Sequence, residues 1–216
     1  MIIGVVTPTY NRPDLARSVF LQFNMQSTPP DIYVFHQNSQ ASSYRWAIED
    51  FIGVCSIPRI EWLHSPDLTK ENDWYRIPIQ RLCDLGVDVI FWADHDDLYR
   101  RDHIEHSLKN LQDFDITLNE RCGVLYLQRS YKYVPNAWFK SHAPGGMSSS
   151  MCFTREFALE FLKDMENHHN FRHADELLAN VTMPKFRVNI QTEATTTYVI
   201  HKGTVSSSHW LSDKDS

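Results

Sequence analysis

The run Asp94-His95-Asp96-Asp97 places three carboxylates within four residues, directly after the apolar segment 87–93, VDVIFWA. If the chain stays extended there, side chains alternate and Asp94 and Asp96 project from the same side. Two carboxylates ~4 Å apart repel by about 1 kcal/mol in water and roughly 4 kcal/mol at an effective dielectric near 20. Such a pair at a strand mouth calls for a cation or a hydrogen-bond donor nearby. Hard oxygen donors suit Mg2+ or Mn2+ better than zinc. A divalent ion held by one or two carboxylates keeps places for phosphate oxygens, so the expected partner is a nucleoside diphosphate. The competing reading is a solvated acidic turn that caps the next helix.

Other side chains carry weaker signals. Arg76, in the stretch Ser65–Arg76 before Pro78, could meet a diphosphate with its planar fork, or lie on the surface. Trp74, Tyr75 and Trp138 could stack on a sugar or base, or pack at a core rim. His168, His169 and His173 lie in a polar stretch and read as solvated rather than as a metal cluster. The cysteines, Cys55, Cys83, Cys122 and Cys152, are widely spaced without a C-x-x-C pair, which reads as buried free thiols in a reducing compartment.

These residues need elements to hold them. Residues 2–7, IIGVVT, form an apolar run that ends in PTYNRP, and Leu15, Val19, Phe20 and Phe23 then recur at helical spacing behind Pro13 and Asp14. Proline suits the first helical turn and an acid there suits the dipole. The order repeats: a strand over Asp31–Phe35, a helix around Tyr44–Phe51, a strand over Ile60–His64, a loop to Arg76, and a short helix from Pro78 closed by Gly86. The segment 87–93 reads as a central strand covered on both faces. Alternating strands and helices predict an α/β fold, a three-layer α/β/α sandwich around a mostly parallel sheet, which binds ligands at the carboxyl ends of its strands. The first half is thus a Rossmann-like unit of nucleotide-binding size.

Beyond Asp94 the pattern predicts a helix around His103–Leu111, a strand over Gly123–Leu127 and an aromatic stretch, YKYVPNAWF. A flexible segment over 142–150 follows, then a helix over Thr154–Met165 capped by Thr154. A helix over Asp175–Val181 and strands over Phe186–Ile190 and Thr195–Ile200 complete the reading, with a polar tail behind them. We expect one domain over 1–216: a nucleotide-binding half (1–97), an acceptor-side half (98–205) and a tail (206–216).

The composition agrees with a globular chain. Its 216 residues carry 21 basic and 27 acidic side chains, a net charge of −6 that gives no electrostatic reason to bind nucleic acid or anionic membrane. The 42% hydrophobic and 22% charged fractions exclude disorder and coiled coil as the main state. No apolar run approaches the ~20 residues of a membrane span, and the first residues do not read as a leader. A cytoplasmic protein without stable membrane insertion is expected.

Taken in order, several segments resemble GT-A-fold glycosyltransferases of the family-2 type. Val6-Thr7-Pro8-Thr9-Tyr10-Asn11-Arg12 resembles the first-strand signature whose loop lies against the nucleotide. Asp94-His95-Asp96 resembles the D-x-D element, in which the first Asp approaches the ribose and the last binds the metal. Gly145-Gly146-Met147-Ser148-Ser149-Ser150-Met151 resembles the acceptor-side segment, Ala174-Asp175-Glu176-Leu177-Leu178 the E-D-x-x-L element, and Tyr198-Val199-Ile200-His201 the late strand ending in a metal-binding His.

The resemblance implies a metal-dependent, inverting transfer of a hexosyl or pentosyl group from a nucleoside-diphosphate sugar to an acceptor hydroxyl, with Mn2+ or Mg2+. It implies that Thr7, Pro8, Tyr10, Asn11, Arg12, Asn38, Arg76, Asp94 and His95 hold the nucleotide. Asp96 and His201 hold the metal, with His209 the competing late His. Asp175 is the base, with Glu176 as the alternative, and Gly146, Met147 and Trp138 lie on the acceptor side. Two departures stand out. Family members often carry an acid after the second strand, where this chain has His36-Gln37-Asn38-Ser39, and Ala174 replaces the Glu of E-D. An amide donates and accepts without charge, which leaves the base open. The acceptor is equally open: a glycan, a lipid-linked sugar, a protein or a modified base. A nucleotidyltransferase acting on sugar phosphates and a non-catalytic carbohydrate-binding protein of the same fold are the alternatives. TPTYNRP lacks the glycine of a phosphate loop, and no G-x-x-x-x-G-K-[ST] occurs.

Overall fold

The computed structural model describes residues 1–39, 42–66, 71–126, 131–135, 148–168, 171 and 174–200. Its first half repeats strand and helix: β1 (Ile3–Thr9), α1 (Pro13–Asn24), β2 (Ile32–Gln37), α2 (Trp46–Ile52), β3 (Arg59–His64), α3 (Glu71–Asp84) and β4 (Val89–Trp92). The second half contains β5 (Leu98–Tyr99), α4 (His103–Leu111), β6 (Ile116–Asn119), β7 (Arg121–Tyr126) and β8 (Tyr131–Pro135). It continues with a 3₁₀ turn (Ser148–Ser150), β9 (Cys152–Thr154), α5 (Arg155–Asn167), α6 (Ala174–Leu177), β10 (Val188–Gln191) and β11 (Thr196–Ile200).

Seven strands form one sheet in the order β10-β6-β9-β4-β1-β2-β3. Its pairings are parallel except where β9 runs antiparallel to both β4 and β6. The alternation of side chains divides the core. Val6, Val34, Ile90 and Trp92 face α3, α5 and α6, whereas Val5, Tyr33, Phe35, Val89 and Phe91 face α1, α2 and α4. This is the expected α/β arrangement, and every residue of β4 is buried as its apolar run requires. A second sheet, β5-β11-β7-β8, stands beside the first. No helix among the described residues is long and apolar enough to cross a membrane.

Local chemistry explains most boundaries. Gly86, at φ +76°, ends α3 with its N–H on the Cys83 carbonyl (3.0 Å) while Val87 N–H reaches Leu82 (3.2 Å), the Schellman pattern. Thr154 Oγ1 accepts from Phe157 N–H (3.3 Å) as the cap of α5. Cys55, Cys83 and Cys152 are free thiols.

The structure corrects the sequence reading in four places. Helix α3 begins at Glu71, so Trp74, Tyr75 and Arg76 stand on a helix rather than a loop, and Pro78 lies inside it. Proline leaves the carbonyl four residues earlier without its helical donor. That carbonyl, of Trp74, accepts from His36 Nδ1 instead (2.8 Å), so the helix continues with its polar group satisfied. Strands β5, β6 and β9 are too short to show a period. The segment expected to be helical over Asp175–Val181 is a single α-turn, α6, widened into a π-turn over Leu178–Thr182. The flexible stretch expected over 142–150 closes in a 3₁₀ turn at Ser148–Ser150, and 142–147 lies outside the described residues.

Candidate active site

The parallel pair β1 and β4 ends side by side, with Val6 opposite Trp92 and Ala93 N–H on the Val6 carbonyl (2.9 Å). The chain leaving β4 is the acidic turn. His95 Nδ1 donates to the Pro8 carbonyl (3.1 Å), which stitches that turn to the end of β1. Asp94 Oδ1 accepts from Trp92 Nε1 (3.1 Å), and its carbonyl accepts from the Tyr99 hydroxyl (3.2 Å). Asp94, His95 and Asp96 are half-buried, while Asp97 is buried.

Asp97 is a residue that motif reasoning passed over. Its Oδ1 accepts from Val199 N–H on β11 (3.1 Å), across 102 residues of chain. Its Oδ2 is buried without a well-aligned hydrogen bond among the described residues. Burial, and then the charges of Asp96 and Asp94, hold its carboxyl well above the usual range, and the Val199 amide and neighbouring Ser149 hydroxyl offset only part of this. Its signal in the sequence was the fourth position of the acidic run, which counted there only as charge.

The side chains of the turn are oxygen donors of the kind that suits a hard divalent cation, with Asp94 and Asp96 half-buried at the strand mouth. Among the described residues no three His, Cys, Asp or Glu side chains form a closed ligand group. Mg2+ or Mn2+ completed by phosphate oxygens needs no such cage. His201 lies outside the described residues, as do Gly146, Met147, Trp138, His169, His173 and His209.

The first-strand loop forms one wall. Thr7 Oγ1 bonds the Tyr33 hydroxyl (2.8 Å) within the core, so the side chain expected to hold the nucleotide turns inward. Thr9 Oγ1 does the same with Tyr44 (2.8 Å). Asn11 takes φ +49°, a conformation that Asn tolerates better than most residues, and the Arg12 carbonyl accepts from Ala16 N–H (3.0 Å) to open α1. Tyr10 is 53% exposed, its ring parallel to Trp74 (10° between planes, centroids 6.4 Å apart).

Beyond that wall, α3 and β2 form a buried polar seam. A carbonyl only accepts, so the contact with Trp74 fixes the proton of His36 on Nδ1, and Nε2 accepts from Ser65 Oγ (3.0 Å). Burial pushes the His36 imidazole below its ordinary value. Asn38 is buried, and its amide fits with nitrogen toward the Ser65 carbonyl (3.2 Å) and oxygen on the Trp74 indole N–H. Arg76 Nε donates to Asp73 (2.7 Å).

Helix α6 packs against α3 and α5 through Ala174, Leu177 and Leu178, on the face of the sheet that carries Trp92. Asp175 and Glu176 are half-buried there, and Asp175 Oδ1 accepts from Glu176 N–H (2.9 Å). The segment behind α6 is anchored on buried Asp164, which accepts from Thr182 Oγ1 (2.8 Å) and Lys185 Nζ (2.6 Å). The fold therefore brings the acidic turn, the first-strand loop and the start of α3 together at the carboxyl ends of β1 and β2, with α6 packed against α3 on the Trp92 face of the sheet.

No protein-family model and no curated protein sequence matches the chain. Solved structures do. S. aureus TarS superposes with a TM-score of 0.68 at 12% identity, over 93% of this chain and 37% of that one. Its residues 1–349 in complex with UDP-GlcNAc give 0.67 at 13%, over 96% and 61%. The mannosyltransferase PcManGT from Pyrobaculum calidifontis, in complex with GDP-Man and Mn2+, gives 0.66 at 13%, over 95% and 59%. The chain spans between 37% and 61% of the length of these structures. At this identity the likeness concerns the fold: a mostly parallel α/β sheet of the kind found in GT-A-like glycosyltransferases.

Proposed function

We propose that the protein is a glycosyltransferase that moves a hexosyl or pentosyl group from a nucleoside-diphosphate sugar to an acceptor hydroxyl with inversion, using Mn2+ or Mg2+. The observation that carries this reading is the crowding of carboxylates at the mouth of β1 and β4, in a fold shared with structures that hold UDP-GlcNAc or GDP-Man with Mn2+. Residues 1–97 serve the nucleotide and 98–205 the acceptor.

The loop Pro8–Arg12, with Tyr10 beside Trp74, meets the base and ribose, and Asn38, Arg76, Asp94 and His95 complete the nucleotide side. Asp96 and His201 hold the cation, which neutralises charge on the departing diphosphate when bound. Asp175 takes the proton of the acceptor hydroxyl as its oxygen bonds to the anomeric carbon and the bond to the diphosphate breaks. Glu176 is the alternative base. Gly146, Met147 and Trp138 are assigned to the acceptor side.

The test is a panel of nucleotide sugars incubated with Mn2+ or Mg2+, scored by nucleoside-diphosphate release. Asp96→Ala should abolish metal-dependent nucleotide binding. Asp175→Asn should retain binding and lose transfer by at least the ~100-fold that a general base supplies. Normal transfer by D175N would remove that assignment, and full activity in chelator would remove the cation.

A further inference from the structure

Asp94 is the carboxylate that the proposed function sets against the nucleotide, and a core residue donates to it. Trp92 lies two residues earlier on β4, which puts both side chains on the same side of the strand. Its indole is 1% exposed. The ring is packed between Tyr75 of α3 (centroids 3.9 Å, planes at 33°) and Phe161 of α5 (6.4 Å, 32°). From that slot Nε1–H reaches Asp94 Oδ1 at 3.1 Å.

Packing alone does not ask for this residue. The core cluster around it is apolar, including Ile90, Met151, Phe153, Phe157 and Phe161, and a Phe would keep an aromatic ring there without a polar atom, at the cost of a small cavity. An indole N–H placed in such a core is costly unless bonded, so the buried ring favours the Asp94 orientation that meets it. A donor already on the carboxylate spares the nucleotide the cost of ordering it.

We propose that Trp92 is a positioning residue: its indole N–H, clamped by Tyr75 and Phe161, holds the Asp94 carboxylate ready for the nucleotide and couples that carboxylate to α3, the helix that also carries Trp74 and Arg76. This rests on the assignment of Asp94 to the nucleotide. The experiment separates the two ideas by measuring UDP and GDP affinity with Mn2+ by calorimetry, and melting temperature, for wild type, Trp92→Phe, Asp94→Ala and the double variant.

The expected result is about tenfold weaker binding by W92F, the order expected for one hydrogen bond to a charged group, with the fold retained. In the D94A background W92F should cost nothing further, because its effect runs through Asp94. If W92F binds like wild type while D94A does not, Trp92 is core filling and only this proposal falls. An equal loss from W92F in both backgrounds also overturns it, since the effect would then be general to the core. Undiminished binding by D94A, or binding of neither nucleotide by wild type, overturns the assignment of Asp94 and this proposal with it. Should W92F fail to fold, the benzothienyl isostere of tryptophan at position 92 keeps the shape and removes the N–H, and the same criteria apply.

Discussion

His103 shows how a single residue can tie stability to pH. It is buried, ringed by Phe23, Phe91 and Tyr99, and its Nδ1 shares a hydrogen bond with Thr195 Oγ1 (2.8 Å). Burial is the main cause that lowers its pKa from 6.5 to about 3. The folded chain therefore keeps the ring neutral where the unfolded chain protonates it. The stability this provides is complete above about pH 6.5 and is lost as pH falls from there toward 3, by up to about 1.4 kcal/mol per pH unit. His36 acts in the same direction. Urea midpoints between pH 7.5 and 5, above the range where most carboxylates titrate, should fall, and His103→Gln should flatten that slope. Neither histidine's role was readable from the sequence, because their partners lie 92 residues away for His103 and 38 for the Trp74 carbonyl that His36 meets.

At the scale of elements, β1 is held close to α3 by an absent side chain. A methyl group on Gly4 would come within 2.9 Å of Leu82 Cδ2 and 3.0 Å of Val87 Cγ1, both fully buried. Gly4→Ala should cost about 1–3 kcal/mol by overpacking, read as a lower denaturant midpoint with an unchanged m-value. Gly4 stands at the start of β1, away from the acidic turn that meets Pro8, so affinity for nucleotide should change far less than stability. Most of the first-half elements were legible because each declares itself locally: an apolar run, a proline at a helix start, a glycine at its end. Helix α3 was the exception. Pro78 reads as a helix start, and only a distant histidine that takes over the freed Trp74 carbonyl lets the helix begin at Glu71.

At the scale of the whole molecule, the two sheets meet at the candidate site. Asp97 reaches Val199, β5 pairs with β11, and Asn119 Nδ2 of β6 bonds Thr195 Oγ1 (3.1 Å) just before β11. Binding at such a junction should stabilise both sheets together. A nucleoside diphosphate with Mn2+ at 100 times its dissociation constant should add about 2.7 kcal/mol to unfolding. The thermal shift should vanish in chelator and in Asp96→Ala. A shift of equal size without the ion would show that the nucleotide binds independently of the carboxylates.

The sequence by itself determined the alternation of strand and helix, the buried β4 and the acidic turn at its end. Periodicity and burial act over a few neighbours, and those neighbours are written side by side in the chain. Only the tertiary structure decided that β9 enters antiparallel between β4 and β6, that Thr7 turns its hydroxyl into the core, and that Asp97 and Trp92 hold the turn from behind. Each of these depends on a partner brought close by the packing of two layers. A hydrogen bond spanning 102 residues leaves no periodic trace in the sequence.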